Sequence, residues 1–425
     1  MNVTSYKSTL NGSIDVPGSK SHTIRALIIG ALADGESIIE EPLNSLDTLS
    51  AAAAVSHFGA RVDMNSMPWT VRGVGGRPSV PDTVIDVGNS GTTLYMIMGT
   101  ASLAAGWTIL TGDEQIRRRT ASYLIDALSG LGVELFSTRG NGMAPLAIRG
   151  KMKGGDTKVA GISSQYVSSL LMACPLSDGR SNITITELNE RPYVNMTLDW
   201  LNRTGIHLEI NDDMTCVDIE GNQSFLPFSR RIPGDFSSAT FLVCAGVLAG
   251  GELMLRGLEM DDPQGDKAVI DILRNMGADI TTEQNCITVH GSSLKGIDID
   301  MNAIPDALPM LSVCGCFAEG TTVLHNVAQA RIKETDRIAV MAAELGKLGA
   351  DIRELPDGLV INGTGLRGGN VHGHGDHRVV MAMTVAGFAA ESEITVDTAE
   401  SAGITFPGFW EKVRSAGAVL DIIEE

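Results

Sequence analysis

Residues 234–258 read GDFSSATFLVCAGVLAGGELMLRGL. A small polar cluster, Asp235 to Ser238, opens a run of Ala, Leu, Val and Cys that is apolar on every side. The run ends at the glycine turn of Gly250, and residues of a β-branched or apolar strand follow. The stretch therefore predicts a helix that is buried nearly all round, then a turn and a β-strand.

This pattern occurs six times along the chain. The turn positions are 35, 106, 179, 250, 320 and 391, so the copies are 70 to 73 residues apart. The copies span residues 18–43, 88–113, 163–188, 234–258, 305–327 and 375–397. Self-similarity at a fixed period indicates that one structural unit is repeated.

Each repeat also carries a second helix, which is amphipathic and ends at a glycine before another strand. Examples are LSAAAAVSHFGARVD from Leu49 and DRIAVMAAELGKLGADI from Asp336. The glycines lie at 59, 132, 205, 277, 349 and 417 and repeat the same period. The order in each repeat is strand, helix, strand, helix and further strand, which is an α/β subdomain. Because so small a unit cannot bury its faces alone, we expect the six to associate.

Composition restricts the partners of this protein. The chain has 425 residues with 51 acidic and 32 basic side chains, and its formal charge of -19 opposes binding to nucleic acid or to anionic membranes. The longest apolar stretch, near Phe241 to Gly250, is too short to span a bilayer, and Met1 to Ser19 resembles a first strand more than a signal peptide. The six cysteines lack the spacing of a zinc site. We expect a cytoplasmic protein with reduced, buried cysteines and no metal.

The starts of the six buried helices are polar. Helix N-termini carry unpaired N–H groups and partial positive charge, so polar residues at these positions favour anions. The residues concerned are Ser19 to Ser21, Asn89 to Thr92, Ser163 and Ser164, Ser237 and Ser238, Asp306, and His377 and Arg378. If threefold packing aligns the helices in each half, several of these N-termini converge on one anion-binding face.

Several charged motifs have ordinary explanations when each is taken alone. PGSKS at 17–21, followed by Arg25, suits a phosphate or carboxylate, but such charges usually form a solvated helix face. RIKETDRI at 331–338 places Lys333 and Arg337 at the spacing of a salt-bridge lattice on one helix face. Asp306 at the start of an apolar helix is an ordinary N-cap candidate.

Two further motifs are similarly ambiguous. QIRRRTAS at 115–122 is a basic run typical of solvated surface, and HGHGDHR at 372–378 has three histidines without the helical spacing of a metal site. The motifs recur at one point of successive repeats, however. This recurrence favours a shared cleft over five unrelated surface features.

Ten motifs in order along nearly the whole chain carry a family resemblance. They are PGSKSxxxRAL, GNSGT, RRRTASYLIDAL, SSQYVSSLL, RPYVNMTL, GDFSSATFL, IPDALPML, RIKETDRI, GDHRVVMAM and TFPGFW. The set resembles the 5-enolpyruvylshikimate-3-phosphate synthase (3-phosphoshikimate 1-carboxyvinyltransferase) family. The resemblance implies a two-domain inside-out α/β barrel of six βαβαββ-type subdomains, three per domain, with the active site in the interdomain cleft. We expect domain I at 1–17 and 235–425 and domain II at 18–234, joined by two crossovers.

The resemblance also implies a function. Family members transfer the enolpyruvyl group of phosphoenolpyruvate to the 5-hydroxyl of shikimate 3-phosphate and release phosphate, in the pathway to chorismate and aromatic amino acids. The implied protein is a cytoplasmic monomer that acts on these small molecules without a cofactor or metal.

The implied site residues fall into three overlapping groups. Asp306 would accept the proton of the attacking hydroxyl, Glu334 would protonate the methylene carbon, and Lys20 would share in the proton transfers. Shikimate 3-phosphate would be held by Lys20, Ser21, Arg25, Ser163, Ser164, Gln165, Tyr193, Asp306, Gln329 and Lys333. Phosphoenolpyruvate would be held by Lys20, Asn89, Gly91, Arg119, Gln165, Arg337 and Arg378. Arginine forks suit its carboxylate and phosphate.

Three positions depart from the family pattern. Ile404 stands where a lysine commonly precedes the TFP motif, and Tyr95 stands where bacterial members often have an arginine; both bear on phosphoenolpyruvate binding. Glu190 stands where a serine often helps to hold the shikimate phosphate. The neighbouring Arg191 is a candidate to offset the charge of Glu190.

Two alternatives stay open from the sequence. The sister enzyme that transfers enolpyruvyl to UDP-N-acetylglucosamine typically has a reactive cysteine in the loop that is Gly112 to Arg119 here, and this loop contains none. A non-catalytic anion-binding protein could keep the same repeat. Such a protein would not need Asp306 and Glu334 together.

Overall fold

The computed structural model describes residues 1–424, which form two compact units. One, the continuous unit, is Gly18–Ile232. The other, the split unit, combines Met1–Pro17 with the chain from Pro233 onward. Each unit has its own hydrophobic core of buried aliphatic and aromatic side chains.

The split unit begins with strands β1 (Asn2–Tyr6) and β2 (Gly12–Asp15). The chain then builds the continuous unit, whose elements in order are α1 (Lys20–Leu32), β3 (Glu36–Glu40), α2 (Leu46–His57), β4 (Arg61–Asp63), β5 (Trp69–Arg72), β6 (Ile85–Asp86), α3 (Gly91–Ala101), β7 (Trp107–Thr111), α4 (Ser122–Gly130), β8 (Glu134–Ser137), β9 (Leu146–Arg149), β10 (Gly155–Gly161), α5 (Ser164–Ala173), β11 (Ser181–Leu188), α6 (Arg191–Arg203), β12 (Glu209–Ile210), β13 (Cys216–Ile219) and β14 (Ser229–Arg231).

The chain then returns to the split unit. Its remaining elements are α7 (Phe236–Ala249), β15 (Glu252–Arg256), α8 (Ala268–Asn275), β16 (Ile280–Glu283), β17 (Cys286–His290), β18 (Asp298–Asp300), α9 (Leu308–Phe317), β19 (Thr321–His325), α10 (Arg337–Lys347), β20 (Asp351–Leu355), β21 (Gly358–Asn362), β22 (Gly369–Val371), α11 (His377–Gly387), β23 (Ile394–Val396), α12 (Phe409–Ser415) and β24 (Val419–Ile423).

The strands form four-stranded sheets with one recurring topology. In the continuous unit the strand orders are β14-β3-β5-β4, β6-β7-β9-β8 and β10-β11-β13-β12. In the split unit they are β2-β15-β17-β16, β18-β19-β21-β20 and β22-β23-β1-β24. In every sheet the first two strands are parallel and the other neighbours are antiparallel. The predicted repeat is thus confirmed as one βαβαββ plan used six times.

Distant segments complete three of these sheets. β1 lies between β23 and β24, with Val3 opposite Val396 on one side and Ile422 on the other. β2 pairs in parallel with β15, and β14 pairs in parallel with β3. The split unit therefore depends on a segment that precedes the continuous unit in the chain.

The first helix of each repeat is buried, as the uniform apolar runs predict. In α7 every residue except Leu248 is buried, and α3 and α11 are buried along their whole length. The second helices are buried on one face only, as in α8, where Val269, Ile270 and Leu273 point inward. In the split unit α7, α9 and α11 contact one another pairwise; in the continuous unit α3 contacts both α1 and α5.

The structure corrects two predictions. Cys216 is exposed and Cys286 is half-buried, because both lie on strands with one solvent-facing side; the other four cysteines are buried. Lys333 and Arg337 do not share a helix face, because α10 begins only at Arg337. The carboxylate of Asp336 accepts a hydrogen bond from the N–H of Ala339 at 3.0 Å and so sets the start of the helix.

Among residues 1–424, no helix is both long and apolar enough to cross a membrane.

Two helical glycines test the packing of the buried helices. A Cβ on Gly99 of α3 would lie 2.7 Å from the carbonyl oxygen of Ser169 and 3.0 Å from the Cβ of Ala173 on α5, whereas a Cβ on Gly346 of α10 would meet no atom within 4 Å. We expect Gly99→Ala to lower the free energy of unfolding by about 1–3 kcal/mol, because α3 and α5 must separate. Gly346→Ala should raise it by about 0.5–1 kcal/mol through helix propensity alone.

Urea unfolding followed by circular dichroism measures both effects. Gly346→Ala is the matched control, since the same atom is added to a helix that has room for it. Equal effects of the two substitutions would contradict the close packing of α3 on α5.

Candidate functional site

Polar residues gather where the buried helices of the continuous unit begin. Ser19, Ser90 and Ser163 are the N-caps of α1, α3 and α5, and the hydroxyl of each accepts a backbone N–H of the first turn. A neutral serine cap leaves the partial positive charge of a helix N-terminus uncompensated. The starts of α1 and α3 therefore retain the electrostatics that favour an anion, whereas at α5 the carboxylate of Glu190 already accepts the N–H and the hydroxyl of Ser164.

Lys20 and Asn89 are held by carboxylates that the sequence analysis did not identify. Lys20 Nζ lies 3.0 Å from Oδ2 of Asp47, which is buried on α2. Asn89 Nδ2 donates to Oδ2 of Asp113 at 2.6 Å. An acid two residues after the Ser45 cap was the only sequence signal for Asp47, and it fits an ordinary first-turn acid equally well.

Arg25 is a buried cation among neutral groups. Its guanidinium donates to Oγ1 of Thr197 at 2.8 Å, to Oγ of Ser168 at 3.3 Å, and to the backbone carbonyls of Ser21 and Tyr193 at 3.0 Å. Burial lowers the pKa of Arg25 to about 10. These bonds join α1, α5 and α6, and they bring together Ser21, Arg25 and Tyr193, three residues that the resemblance assigns to shikimate 3-phosphate.

Gly91 and Arg119, which the family resemblance assigns to phosphoenolpyruvate, lie in contact. A Cβ on Gly91 would collide with Nη1 of Arg119, so only glycine lets the guanidinium pack against the first residue of α3. The hydroxyls of Tyr95 and Tyr166 both donate to the carbonyl of Thr120, at 3.0 and 2.7 Å. Tyr95, at the position of the missing arginine, therefore helps to hold the segment that carries Arg119.

The N-termini of α3 and α5 are linked directly. Nε2 of Gln165 donates to Oγ1 of Thr92 at 2.9 Å. Ser164 does not present a free hydroxyl, because its Oγ donates to Oε2 of Glu190 at 2.7 Å. Arg191, the candidate to offset that charge, donates from Nε to Sδ of Met214 at 3.1 Å and from Nη2 to the carbonyl of Asp212.

In the split unit one guanidinium joins the predicted catalytic carboxylates. Arg337 Nη1 donates to Oδ1 of Asp306 at 2.8 Å, and Arg337 Nη2 donates to Oε2 of Glu334 at 2.5 Å. Arg378 Nη2 lies 2.9 Å from Oδ2 of Asp306, and Lys333 Nζ lies 4.0 Å from its Oδ1. The structure thus brings all five of these predicted residues together.

Asp376 anchors this cluster and was missed from the sequence. Its buried carboxylate caps α11 and accepts Nε of Arg337 at 2.8 Å and Nη2 at 3.1 Å. Burial alone would lower the pKa of Arg337, but the charges of Asp376, Glu334 and Asp306 raise it. An acid directly before the His377 to Arg378 pair, at a helix start, is a cap signal that could have identified Asp376.

Asp306 does not act as the N-cap of α9. Asp306 lies in a 3₁₀ turn, Pro305–Ala307, and its side chain points to the guanidinium groups of Arg337 and Arg378. Burial would raise the pKa of Asp306, but Arg378, Lys333 and Arg337 together hold it well below the ordinary value. Gln329, predicted to bind shikimate 3-phosphate, is buried and donates from Nε2 to the carbonyl of Asn302 at 3.1 Å.

The pKa of a second carboxyl group beside the cluster, Asp266, is shifted in the opposite direction from that of Asp306. Asp266 is buried, accepts the hydroxyl of Ser237, and has a pKa raised to about 6 by burial and by the charge of Asp306. Within residues 1–424, no group of three or more His, Cys, Asp or Glu side chains is arranged to hold a metal ion.

The raised pKa of Asp266 makes a pH-dependent contribution to stability. Its unfolded-state pKa is about 3.9, so the unfolded chain loses this proton first and the free energy of unfolding falls as the pH rises from about 4 through 6. Asp266→Asn removes that loss. We expect its stability gain over wild type to grow by about 1–2 kcal/mol between pH 4.5 and pH 8, measured by urea unfolding at both pH values.

Asp271→Asn on α8 serves as the control, because that carboxylate is largely exposed. An Asp266→Asn difference that is the same at both pH values would contradict the raised pKa of this buried carboxyl group.

Comparison with known proteins identifies the family. The sequence model of EPSP synthase (3-phosphoshikimate 1-carboxyvinyltransferase) matches residues 5–413. A 3-phosphoshikimate 1-carboxyvinyltransferase of Ruminiclostridium cellulolyticum is 50% identical over 417 residues, covering 98% of this chain and 99% of the relative. One of Halobacterium salinarum is 43% identical over 432 residues, covering 99% of this chain and 100% of the relative.

Solved structures agree. The 2.37 Å structure of EPSP synthase from Acinetobacter baumannii superposes with a TM-score of 0.85 at 28% identity, and the alignment covers 100% of both chains. A second structure of EPSP synthase from that organism gives 0.84 at 27% identity. With the repeat, the motifs and the clustered carboxylates and arginines, these matches show that the chain belongs to the EPSP synthase (3-phosphoshikimate 1-carboxyvinyltransferase) family.

Proposed function

We propose that this enzyme transfers the enolpyruvyl group of phosphoenolpyruvate to the 5-hydroxyl of shikimate 3-phosphate and releases phosphate. The match of the family sequence over residues 5–413 carries this conclusion. Relatives of similar length that are 40 to 50% identical bear the name of this activity. Production of enolpyruvylshikimate phosphate places the enzyme in the shikimate pathway to aromatic amino acids.

The reaction needs an acid, a base and cations. Protonation of the methylene carbon of phosphoenolpyruvate lets the 5-hydroxyl attack C2, which forms a C–O bond and a tetrahedral intermediate. The new methyl group then returns a proton as the C–O bond to phosphate breaks. Phosphoenolpyruvate carries a carboxylate and a phosphate, so arginine forks are suited to orient it. We assign that role to Arg119, Arg337 and Arg378, with Lys20, Asn89, Gly91 and Gln165.

Asp306 is the proposed base, and the cations around it make its basicity depend on the substrate. With Arg378, Lys333 and Arg337 directed at it, the lowered pKa of Asp306 makes it a weak base. An anion bound by Arg337 and Arg378 offsets part of their charge. The pKa of Asp306 then rises toward its ordinary value, so proton acceptance becomes effective once phosphoenolpyruvate is bound.

Glu334 and Lys20 are the proposed proton donors. The guanidinium of Arg337 donates hydrogen bonds to both Glu334 and Asp306, so it fixes the positions of the proposed acid and base relative to each other. Lys20 is paired with Asp47, whose carboxylate fixes the position of its Nζ. Removing either proton-transfer group should lower the rate of the chemical step more than substrate binding.

We assign shikimate 3-phosphate to the remaining groups. Ser163, Ser164 and Lys333 would hold its phosphate, Ser21 and Arg25 its carboxylate, and Gln165 and Tyr193 its ring. Gln329 belongs to the same binding set. The buried guanidinium of Arg25 supports this assignment, because neutral groups alone leave a buried cation poorly compensated. A bound carboxylate would compensate the charge. The monomeric state and the cytoplasmic location remain predictions.

The activity test mixes purified protein with shikimate 3-phosphate and phosphoenolpyruvate and follows phosphate release together with product mass. We expect both signals in wild type and a loss of about 10²- to 10⁴-fold in kcat for Asp306→Asn and for Lys20→Met. Asp271→Asn, which removes an exposed carboxylate from the same unit as Asp306, should retain wild-type kcat.

UDP-N-acetylglucosamine as a competing acceptor separates the alternatives. Transfer to that sugar would overturn the proposed acceptor. Thermal stabilisation by both substrates without phosphate release would indicate an anion-binding protein instead.

Ile404 generates a second test. It is half-buried at the end of the 3₁₀ segment Ala399–Ile404, which packs against α11. If a lysine at this position contributes a cation to phosphoenolpyruvate binding, Ile404→Lys should lower KM for phosphoenolpyruvate about tenfold with kcat little changed. Val419→Lys adds the same charge at an exposed position on β24 and should leave KM unchanged. A higher KM in Ile404→Lys would show that the local packing excludes the cation.

A further inference from the structure

Glu190 places a buried carboxylate at the N-terminus of α5. Oε2 of Glu190 accepts the backbone N–H of Ser164 at 3.3 Å and its hydroxyl at 2.7 Å. The residue is only 2% exposed. Both donors belong to the first residue of the helix, where the partial positive charge of the helix is concentrated. An anionic group of the chain itself thus takes up the donors of an anion-binding position.

Glu190 has a backbone conformation that is energetically unfavourable for a residue other than glycine. Its φ is 55° and its ψ is 39°, a left-handed conformation that non-glycine residues rarely adopt. The residue is also the N-cap of α6, and its carbonyl accepts the N–H of Tyr193 at 2.9 Å. The start of α6 therefore aims the side chain at α5.

The split unit contains a related arrangement, in which a carboxylate also accepts the N–H and the hydroxyl of one serine near a helix start. Oδ2 of Asp235 accepts the N–H of Ser238 at 3.1 Å and its hydroxyl at 2.7 Å. There the acid is the N-cap of the helix that it binds, α7. At α5 the N-cap is already Ser163, and the carboxylate comes from another helix. Glu190 thus adds a carboxylate to the N-terminus of α5, which Ser163 already caps.

We propose that Glu190 determines the affinity for the phosphate of the acceptor by competing with it for Ser164. This inference rests on the proposed function, in which the 3-phosphate binds at Ser163 and Ser164. A phosphate and a carboxylate cannot both accept hydrogen bonds from the single N–H and the single hydroxyl of Ser164. Two anions that share these donors would also repel each other. Shikimate 3-phosphate therefore binds only when the Glu190 carboxylate gives up these bonds.

The competition acts on the phosphate alone. Shikimate is the same acceptor without its phosphate, so it has no phosphate group to bind Ser164. The affinity of the enzyme for shikimate should therefore not depend on Glu190. Glu190 thus lowers the preference of the enzyme for the phosphorylated acceptor. Arg191 does not relieve the competition, because its guanidinium lies against Met214 and the carbonyl of Asp212.

The test compares Glu190→Ser and Glu190→Gln with wild type. KM for shikimate 3-phosphate should fall about 10- to 30-fold in Glu190→Ser, the factor expected for removing a carboxylate from a partly buried helix N-terminus. Glu190→Gln keeps the size and an acceptor oxygen but loses the charge, so it should give a smaller fall. Binding of shikimate, measured by calorimetry, should change less than twofold in both variants.

The controls separate competition from folding. Glu187→Gln removes a nearby exposed carboxylate that contacts Asn189, so it should leave KM unchanged if only the buried carboxylate competes. Thermal unfolding identifies a variant that fails to fold, and Glu190→Gln then carries the test.

The outcomes also separate this inference from the proposed function. Wild-type protein that releases no phosphate with shikimate 3-phosphate would contradict the proposed function. Turnover with an unchanged or higher KM in both Glu190 variants would overturn the competition alone. An equal fall in KM for Glu187→Gln would overturn it too, since a general charge effect would then explain the result.

Discussion

Close packing of three apolar helices in each unit is the constraint on which the rest of the structure depends. A helix that is apolar on every side must be covered on every side, so each repeat has to surround its first helix with its own sheet and with neighbouring repeats. In the split unit α7, α9 and α11 contact one another pairwise. Because the helices pack together, the residues at their three starts, Asp235, Asp306 and Arg378, all lie close enough to Asp266 to affect its pKa.

The two units share this plan but differ in the charge of their helix caps. In the continuous unit the caps are Ser19, Ser90 and Ser163, which are neutral. In the split unit Asp235 and Asp376 are the caps of α7 and α11, and Asp306 precedes α9. Carboxylates at these starts attract the guanidinium groups of Arg337 and Arg378. One repeat architecture therefore produces neutral helix caps in one unit and a cluster of carboxylates and guanidinium groups in the other.

The sequence predicted the architecture because periodicity survives in every repeat. The uniform apolar runs predicted six buried helices, and the terminal glycines predicted where the second helices end; Gly59 and Gly349, for example, have positive φ. It also predicted which residues of the split unit meet, since Asp306, Glu334 and Arg337 belong to recognisable motifs. The prediction that Lys333 and Arg337 share a helix face was wrong, because Asp336 caps α10 and Lys333 therefore lies before the helix begins.

The partners of the site residues could not be predicted. Asp47, Asp266 and Asp376 reach Lys20, Ser237 and Arg337 from elements far away in sequence, and pair distances depend on tertiary packing that no local pattern encodes. The departure at Glu190 was visible in the sequence. Its hydrogen bonds to Ser164 were not, because they require the left-handed backbone that turns α6 toward α5.

The position of β1 has a consequence for synthesis of the protein. This strand is synthesised before the whole continuous unit, yet it lies between β23 and β24, which follow that unit in the chain, with β23 beginning only at Ile394. At about 5–20 residues per second, its partners are absent for roughly 20 to 80 s. The continuous unit contains all of its own strands and can fold during that time, whereas the split unit must wait until β23 and β24 have been synthesised. For that interval the first strand is an unpaired edge that chaperones or the ribosome surface would have to shield.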